Sequence, residues 1–294
     1  MLRIDYRVSQ VFVIPALVSI AIFLFYPFIY SLVMSLGNLN LMKNAYTFTG
    51  LKNYIDLFKS SKFMSSLSIT LQFASIIVIF STLLGLLFSL LLNQKFLGRS
   101  IGRAILILPW ATPWVIIGIS WAWMLHSQFG SLNGLLFQLG LIEKYYPFLG
   151  KANSALLSTA FSAVWRQASF SAILLLATLQ TIPQELYESG TIDGAGLFQK
   201  LFRITIPFLT PTLLVVLIIN TLYGFMQFDT VFMMTGGGPG RATEIISIYM
   251  YRTAFEHLKL GQGAAVGYVL SLLCLFIGMF FVVLLRRSEK RLYG

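Results

Sequence analysis

Six stretches of this sequence are too long and too apolar to be held by anything but a lipid bilayer. They run over residues 11–36, 68–92, 104–125, 155–179, 204–234 and 263–285. Each reaches the roughly 20 residues of helix that cross a bilayer. Four carry no charged side chain, the fourth holds only Arg166, and the fifth only Asp229. Backbone groups in hydrocarbon must pair within their own segment, and no period-2 alternation suggests a barrel, so the segments are helices. Over the 294 residues, 57% are hydrophobic and 11% charged, far below the quarter or so of a soluble domain. The fold class is an all-α polytopic membrane protein with six transmembrane helices.

The first stretch exceeds the apolar region of a signal peptide, and no small-residue cleavage pattern follows it cleanly. It reads as a retained anchor helix. The chain then divides into residues 1–67 (tail, anchor helix and outer amphipathic segment), a core over 68–285 with an inner loop at 181–207, and a basic tail at 286–294.

The net charge of +11 does not point to nucleic acid, because the cations sit singly between apolar runs and suit membrane edges. With the N-terminus inside, the inner loops and tails hold Arg3, Arg7, Lys95, Arg99, Arg103, Lys200, Arg203, Arg286, Arg287, Lys290 and Arg291. The outer loops, which are longer, hold Lys43, Lys52, Lys59, Lys62, Lys144, Lys151, Arg241, Arg252 and Lys259. The density bias places both termini in the cytoplasm of a multi-pass cell-membrane protein. In the first outer loop Leu51, Tyr54, Ile55 and Phe58 fall at helical spacing, with Lys52, Asp56 and Lys59 between them. They predict a short amphipathic helix, lying on the membrane face or capping the bundle. Cys274 is a lone packing residue inside an apolar run. His126 and His257 fall in outer loops. Trp110, Trp114, Trp121 and Trp123 flank or line the third stretch as anchors and packing groups.

The loop between the fourth and fifth stretches is the most informative. Thr181 with Gln184 three residues on is a capping-box pattern, and Pro183 suits a first helical turn, so a short helix starts near Thr181. Gly190, Gly194 and Gly196 then allow a sharp turn. A second short helix follows near 197–202. Pro207 and Pro211 lie in the first turns of the fifth stretch and favour a kink there. A helix–turn–helix tied to two spans is a lever that a partner can grip.

These residues resemble a known family. Permeases of binding-protein-dependent ABC importers carry a loop of the form E-A-A-x3-G-x9-I-x-L-P. Glu188, Ser189, Gly190, then Gly194, then Ile204, Thr205, Ile206 and Pro207 fit that spacing throughout, and Asp193, Gly194 and Ala195 resemble the family's D-G-A step. Ser189 and Gly190 replace the two alanines and Ile206 replaces leucine. Further stretches are similar to the maltose-type permeases of carbohydrate importers. They are Gly50 to Tyr54 (G-L-K-N-Y), Thr235 to Pro239 (T-G-G-G-P) and Tyr249 to Phe255 (Y-M-Y-R-T-A-F). The resemblance covers the chain from about Leu51 onward.

The resemblance implies a type I ABC importer permease fold. It implies a second permease subunit, two ATPase subunits and an extracytoplasmic solute-binding protein as partners, with a sugar as cargo. The loop acts there as a coupling helix in a groove of the ATPase. This chain has no G-x4-G-K-[ST] motif, so it is expected not to be an enzyme and to bind no cofactor, ATP and Mg being used by the partner ATPase.

Polar groups at membrane depth usually face a cavity. Asn220, Tyr223, Gly224 and Gln227 recur at i, i+3, i+4 and i+7 on one helical face, and Arg166, Gln167, Ser169 and Phe170 cluster in the fourth stretch. Such polar and aromatic groups suit a sugar, and the resemblance places substrate in the corresponding spans. The alternative is that Asn220 and Gln227 join helices through hydrogen bonds, and that Arg166 pairs with Asp229 or with a partner subunit. Rival readings are an intramembrane protease, which lacks a nucleophile–base pair within the spans, and a stand-alone secondary transporter, which has no need of the 188–207 loop. A third keeps the machine and changes the cargo to a polyol, glycerol phosphate, amino acid or peptide.

Overall fold

A computed structural model describes residues 6–40 and 45–293. In chain order the helices are α1 (Tyr6–Ile20), α2 (Tyr26–Ser35), α3 (Lys52–Lys59), α4 (Ser61–Asn93), α5 (Arg99–Ala111), α6 (Trp114–Met124) and α7 (Ser131–Gln138). There follow α8 (Ala152–Leu179), α9 (Gln184–Ile192), α10 (Leu197–Lys200), α11 (Ile206–Met226), α12 (Asp229–Thr235), α13 (Ile246–Tyr251) and α14 (Leu260–Tyr293). A short antiparallel pair, β1 (Gly37–Asn40) and β2 (Ala45–Phe48), is the one addition to the all-helical expectation among the described residues.

Among the described residues, five helical spans are long and apolar enough to cross a membrane: Val13–Ser35, Ser61–Asn93, Ala152–Leu179, Leu197–Met226 and Leu260–Arg287. The third expected span, 104–125, is not one straight helix. It is α5 and α6, bent by 99° at Thr112 and Pro113, and the six-span reading holds when the pair counts as one. The sequence reason is Pro113. Its ring disfavours helix at Thr112, which is extended at ψ 130°, and the chain restarts as α6. At 1.5 Å per residue α5 and α6 are each under about 20 Å long, too short to span alone. The fifth expected span, 204–234, is also corrected. α11 ends at Met226, Gln227 is extended at ψ 130°, and Asp229 opens the separate α12.

Compactness divides the chain into two units, with a different boundary from the expected split at residue 67. One comprises the chain up to Met64 with Tyr249–Ser271, the other Ser65–Ile248 with Leu272 onward. In the first unit, α3 is tied to the end of α2. The Asn53 amide donates to the carbonyls of Ser35 and Gly37 at 2.9 Å each, and Tyr54 shares a 2.7 Å hydrogen bond with Ser35. Leu57 is buried while Leu51, Ile55 and Phe58 stay exposed. That outward apolar stripe fits the membrane-face reading of α3.

The second unit is built on α4, α8, α11 and α12. Phe73 and Ile77 of α4 meet Ala160, Ala163 and Val164 of α8, Val231 of α12, and Ile245 and Ile248 in one buried cluster. Leu175 and Leu179 of α8 meet Leu209 and Val216 of α11 and Ile182 in a second. Lipid offers no hydrophobic drive between helices, so small residues that permit close approach do the joining. A Cβ on Gly224 would lie 2.8 Å from the Ala74 Cα, and one on Gly118 3.2 Å from the Thr230 Cα. α12 lies along α6 and α8, so two short helices, each begun at a break, brace one another.

Candidate functional site: a loop lever and an aromatic cleft

The loop after α8 is built as a rigid corner. Thr181 is not its cap: its hydroxyl donates back to the Thr178 carbonyl at 2.8 Å. α9 starts after Pro183, whose missing N–H costs nothing at a helix start. α9 ends in a Schellman motif, with Ala195 N donating to the Gly190 carbonyl at 2.8 Å and Gly194 N to that of Thr191 at 3.1 Å. Gly194 sits at φ +76°, the left-handed conformation that this motif needs and that glycine takes at little cost. Asp193 is the C-cap residue. The Gln199 side chain then accepts from Gly196 N at 3.0 Å and starts α10.

The corner is locked onto α11. A Cβ on Gly190 would lie 3.3 Å from Ile204 Cδ1, so the small residue lets α9 rest on the isoleucine fourteen positions on. Tyr187 OH meets Thr205 Oγ1 at 3.0 Å, and Lys200 Nζ donates to Thr191 Oγ1 at 2.6 Å. Leu186, Tyr187 and Ile204 pack on the buried cluster of α8 and α11. Before Pro207 the chain widens into a π turn over Leu201–Thr205. A proline ring collides with the carbonyl four residues earlier, here that of Arg203, and the wider turn accommodates it. Glu188, Ser189, Asp193 and Gly194 face outward. Around them Ile192 is 87%, Leu197 86%, Phe198 78% and Phe202 65% exposed. These four apolar side chains had no role in the sequence reading; their signal was an apolar run beside the glycines.

The predicted polar face of α11 splits in two. Asn220 is fully buried, and its amide donates to Thr82 Oγ1 of α4 and Ser171 Oγ of α8 at 3.1 Å each. Gly224 presses on Ala74. These two join helices and do not line the cleft formed by the other pair. Tyr223 and Gln227, on the adjacent side of the helix, line a cleft of about 600 Å³ with Trp114, Phe170, Phe228 and Asp229. Gln227 is mostly buried, with its amide donating to Thr230 Oγ1 at 2.8 Å. Its backbone carbonyl accepts a 2.5 Å hydrogen bond from the Ser247 hydroxyl, which holds the break between α11 and α12.

In α8, Phe170 lines the cleft and stacks on Trp110 at 5.9 Å. Gln167 does not line it: it is 1% exposed, and neither amide atom has a partner. Arg166 is not on the wall either. Its Nε donates to the Thr112 carbonyl at 3.2 Å, and its guanidinium lies 4.2 Å from the centre of the Trp114 ring. Among the described residues it forms no ion pair with Asp229. The Thr112 carbonyl loses its helical partner at the α5–α6 break, and Arg166 supplies the donor. A larger groove of about 760 Å³, lined by Leu84, Phe88, Ile105, Leu106 and Trp165 among others, is almost wholly apolar. It suits acyl chains or a neighbouring helix better than a polyhydroxylated molecule.

A model of the family described as binding-protein-dependent transport system inner membrane component matches residues 81–292. The chain belongs to this family. The permease is 34% identical over 277 residues to the trehalose/maltose transport system permease protein MalF of Thermococcus litoralis, across 94% of this chain and 92% of that one. It is 31% identical over 286 residues to the sulfoquinovosyl glycerol transport system permease protein SmoG of Agrobacterium fabrum, across 97% and 92%. Among solved structures, it matches a chain of a bacterial ABC transporter involved in the import of the acidic polysaccharide alginate. The TM-score is 0.83 and the identity 25%, over 95% of both chains. Its fold is that of the type I ABC importer permeases, and it is a multi-pass inner-membrane protein.

Proposed function

We propose that this permease forms, with a second permease subunit, the membrane path for a sugar handed over by an extracytoplasmic binding protein. The relatives named for trehalose, maltose, sulfoquinovosyl glycerol and alginate support the cargo class. Aromatic rings that stack on sugar faces, beside the carboxylate of Asp229, give the cleft a matching chemistry. ATP hydrolysis, with its Mg, belongs to two separate ATPase subunits; this chain binds no cofactor and catalyses nothing.

One observation carries the reading. The 188–207 corner is braced within itself by the Gly190–Ile204, Tyr187–Thr205 and Lys200–Thr191 contacts and packs on α8 and α11 through Leu186, Tyr187 and Ile204, while it presents Ile192, Leu197, Phe198 and Phe202 unburied. An apolar ridge on a rigid mount fits helix-in-groove docking. With both termini cytoplasmic, it meets an ATPase there, and closure of the ATPases on ATP moves the spans to which it is bolted. The test is purification of this chain from its native membrane. The expected result is an assembly containing an ATPase and a second permease, whose vesicles take up a sugar only with ATP and binding protein. Uptake by this chain alone, without nucleotide, overturns the proposal.

A further inference from the structure

The cleft beneath the α11–α12 break has four aromatic walls, Trp114, Phe170, Tyr223 and Phe228. Of its polar residues, Gln227 directs one amide N–H to Thr230 Oγ1. Asp229 is the only acidic or basic residue on the wall. Its carboxylate is half-buried and makes no hydrogen bond or ion pair among the described residues. Arg166 of the neighbouring span makes no ion pair with it among the described residues. Arg166 is off the wall, bonded to the Thr112 carbonyl and lying on the Trp114 ring, with its NH1 sealed inside the protein.

A carboxylate left unpaired in an aromatic cleft has a definite preference. It accepts hydrogen bonds from hydroxyl groups, the one donor that every sugar offers, while the rings take the C–H faces. It repels a carboxylate, sulfonate or phosphate brought alongside. Inside the partly buried cleft such a like-charge contact costs more than in open water and is reduced by salt.

We propose that Asp229 is a specificity-determining residue that accepts hydroxyls of uncharged sugars and turns away anionic ones. The inference rests on the sugar reading above and narrows it to a neutral cargo.

The experiment uses the complete transporter in nanodiscs without its binding protein, so that only the membrane path selects. The probes are α-linked glucose di- and trisaccharides and the matching glucuronate-containing oligosaccharides, with binding followed by equilibrium dialysis. The neutral series is expected to bind at least about tenfold more tightly than the acidic series. Asp229→Asn, which keeps shape and removes charge, is expected to shrink that ratio about tenfold. Raising the salt concentration is expected to narrow the ratio in the wild-type protein and to leave it unchanged in the Asn variant. Equal binding of both series, tighter binding of the acidic series, or a ratio that Asp229→Asn does not move overturns the role of Asp229. If neither series binds to an assembly that still hydrolyses ATP, the sugar reading itself falls, and the inference falls with it.

Discussion

At the scale of single residues, Arg166 and Asn220 show how polar groups within spans serve structure before transport. Arg166 satisfies the carbonyl freed at Thr112 and stacks on Trp114. Arg166→Ala leaves that carbonyl bare and the ring unpartnered. A charged hydrogen bond with a desolvated cation–π contact is worth about 2–4 kcal/mol, so the variant is expected to lower the melting temperature of the purified complex clearly. Arg166→Lys recovers little, because an ammonium cannot lie flat on the ring while it donates to Thr112. Asn220→Leu breaks two contacts to α4 and α8, at about 0.6–1.7 kcal/mol for interhelical bonds in a membrane. It is expected to lower stability and leave the neutral-to-acidic preference of the cleft unchanged. Tyr223→Ala is expected to do the reverse, raising the KM for uptake with little change in melting. Equal effects of the two variants on KM would refute the split of the α11 face. The periodicity of Asn220, Tyr223, Gly224 and Gln227 was legible in the sequence. What each residue touches was not, because a face about 100° wide straddles two neighbours, and only packing decides which side is buried.

Between residues and the whole lies the behaviour of helix segments around proline. Pro27 and Pro207 each follow a π turn, Ala21–Phe25 and Leu201–Thr205, that contains the carbonyl four residues earlier. The ring clash is relieved by widening one turn, and the helix runs on. In the loop lever this widening sets the angle at which α9 and α10 leave α11. Pro207→Ala permits an ordinary α-helical turn, and removing one residue from a wide turn rotates everything before it by about 100°. The variant is expected to insert and to bind the ATPase less tightly, with ATP-driven uptake falling several-fold. Normal coupling would show that the π turn does not aim the lever. Gly190→Leu drives a side chain into Ile204 and is expected to lift α9 off its mount, with assembly lost more completely. The spacing of Glu188, Gly194 and Pro207 announced this corner. The π turn was hidden, because proline spacing alone predicts a kink as readily as a wide turn. Pro113 shows the other outcome: with Thr112 already extended, the same residue type breaks the helix outright.

At the scale of the whole molecule, the number of spans was legible from apolar length because lipid leaves the backbone few choices. The breaks in two of them were not, since the residues on either side are equally apolar and a hydropathy window averages across the turn. Sidedness is the remaining global property, and α8 gives it a direct test. Its 28 residues extend about 42 Å, more than the hydrocarbon thickness, so the loops at its two ends lie on opposite faces of the membrane. Gln128, exposed before α8, and Ser189, exposed after it, report one face each. The lone Cys274 is first replaced by Ala, a loss of one small group in a packed position. In that background Ser189→Cys is expected to react with a membrane-impermeant maleimide only after the cells are opened. Gln128→Cys is expected to react in intact cells. The charge bias and the lever reading both demand this pattern. The reverse pattern would put the exposed ridge of Ile192, Leu197, Phe198 and Phe202 outside the cell, where no ATP-driven partner can grip it.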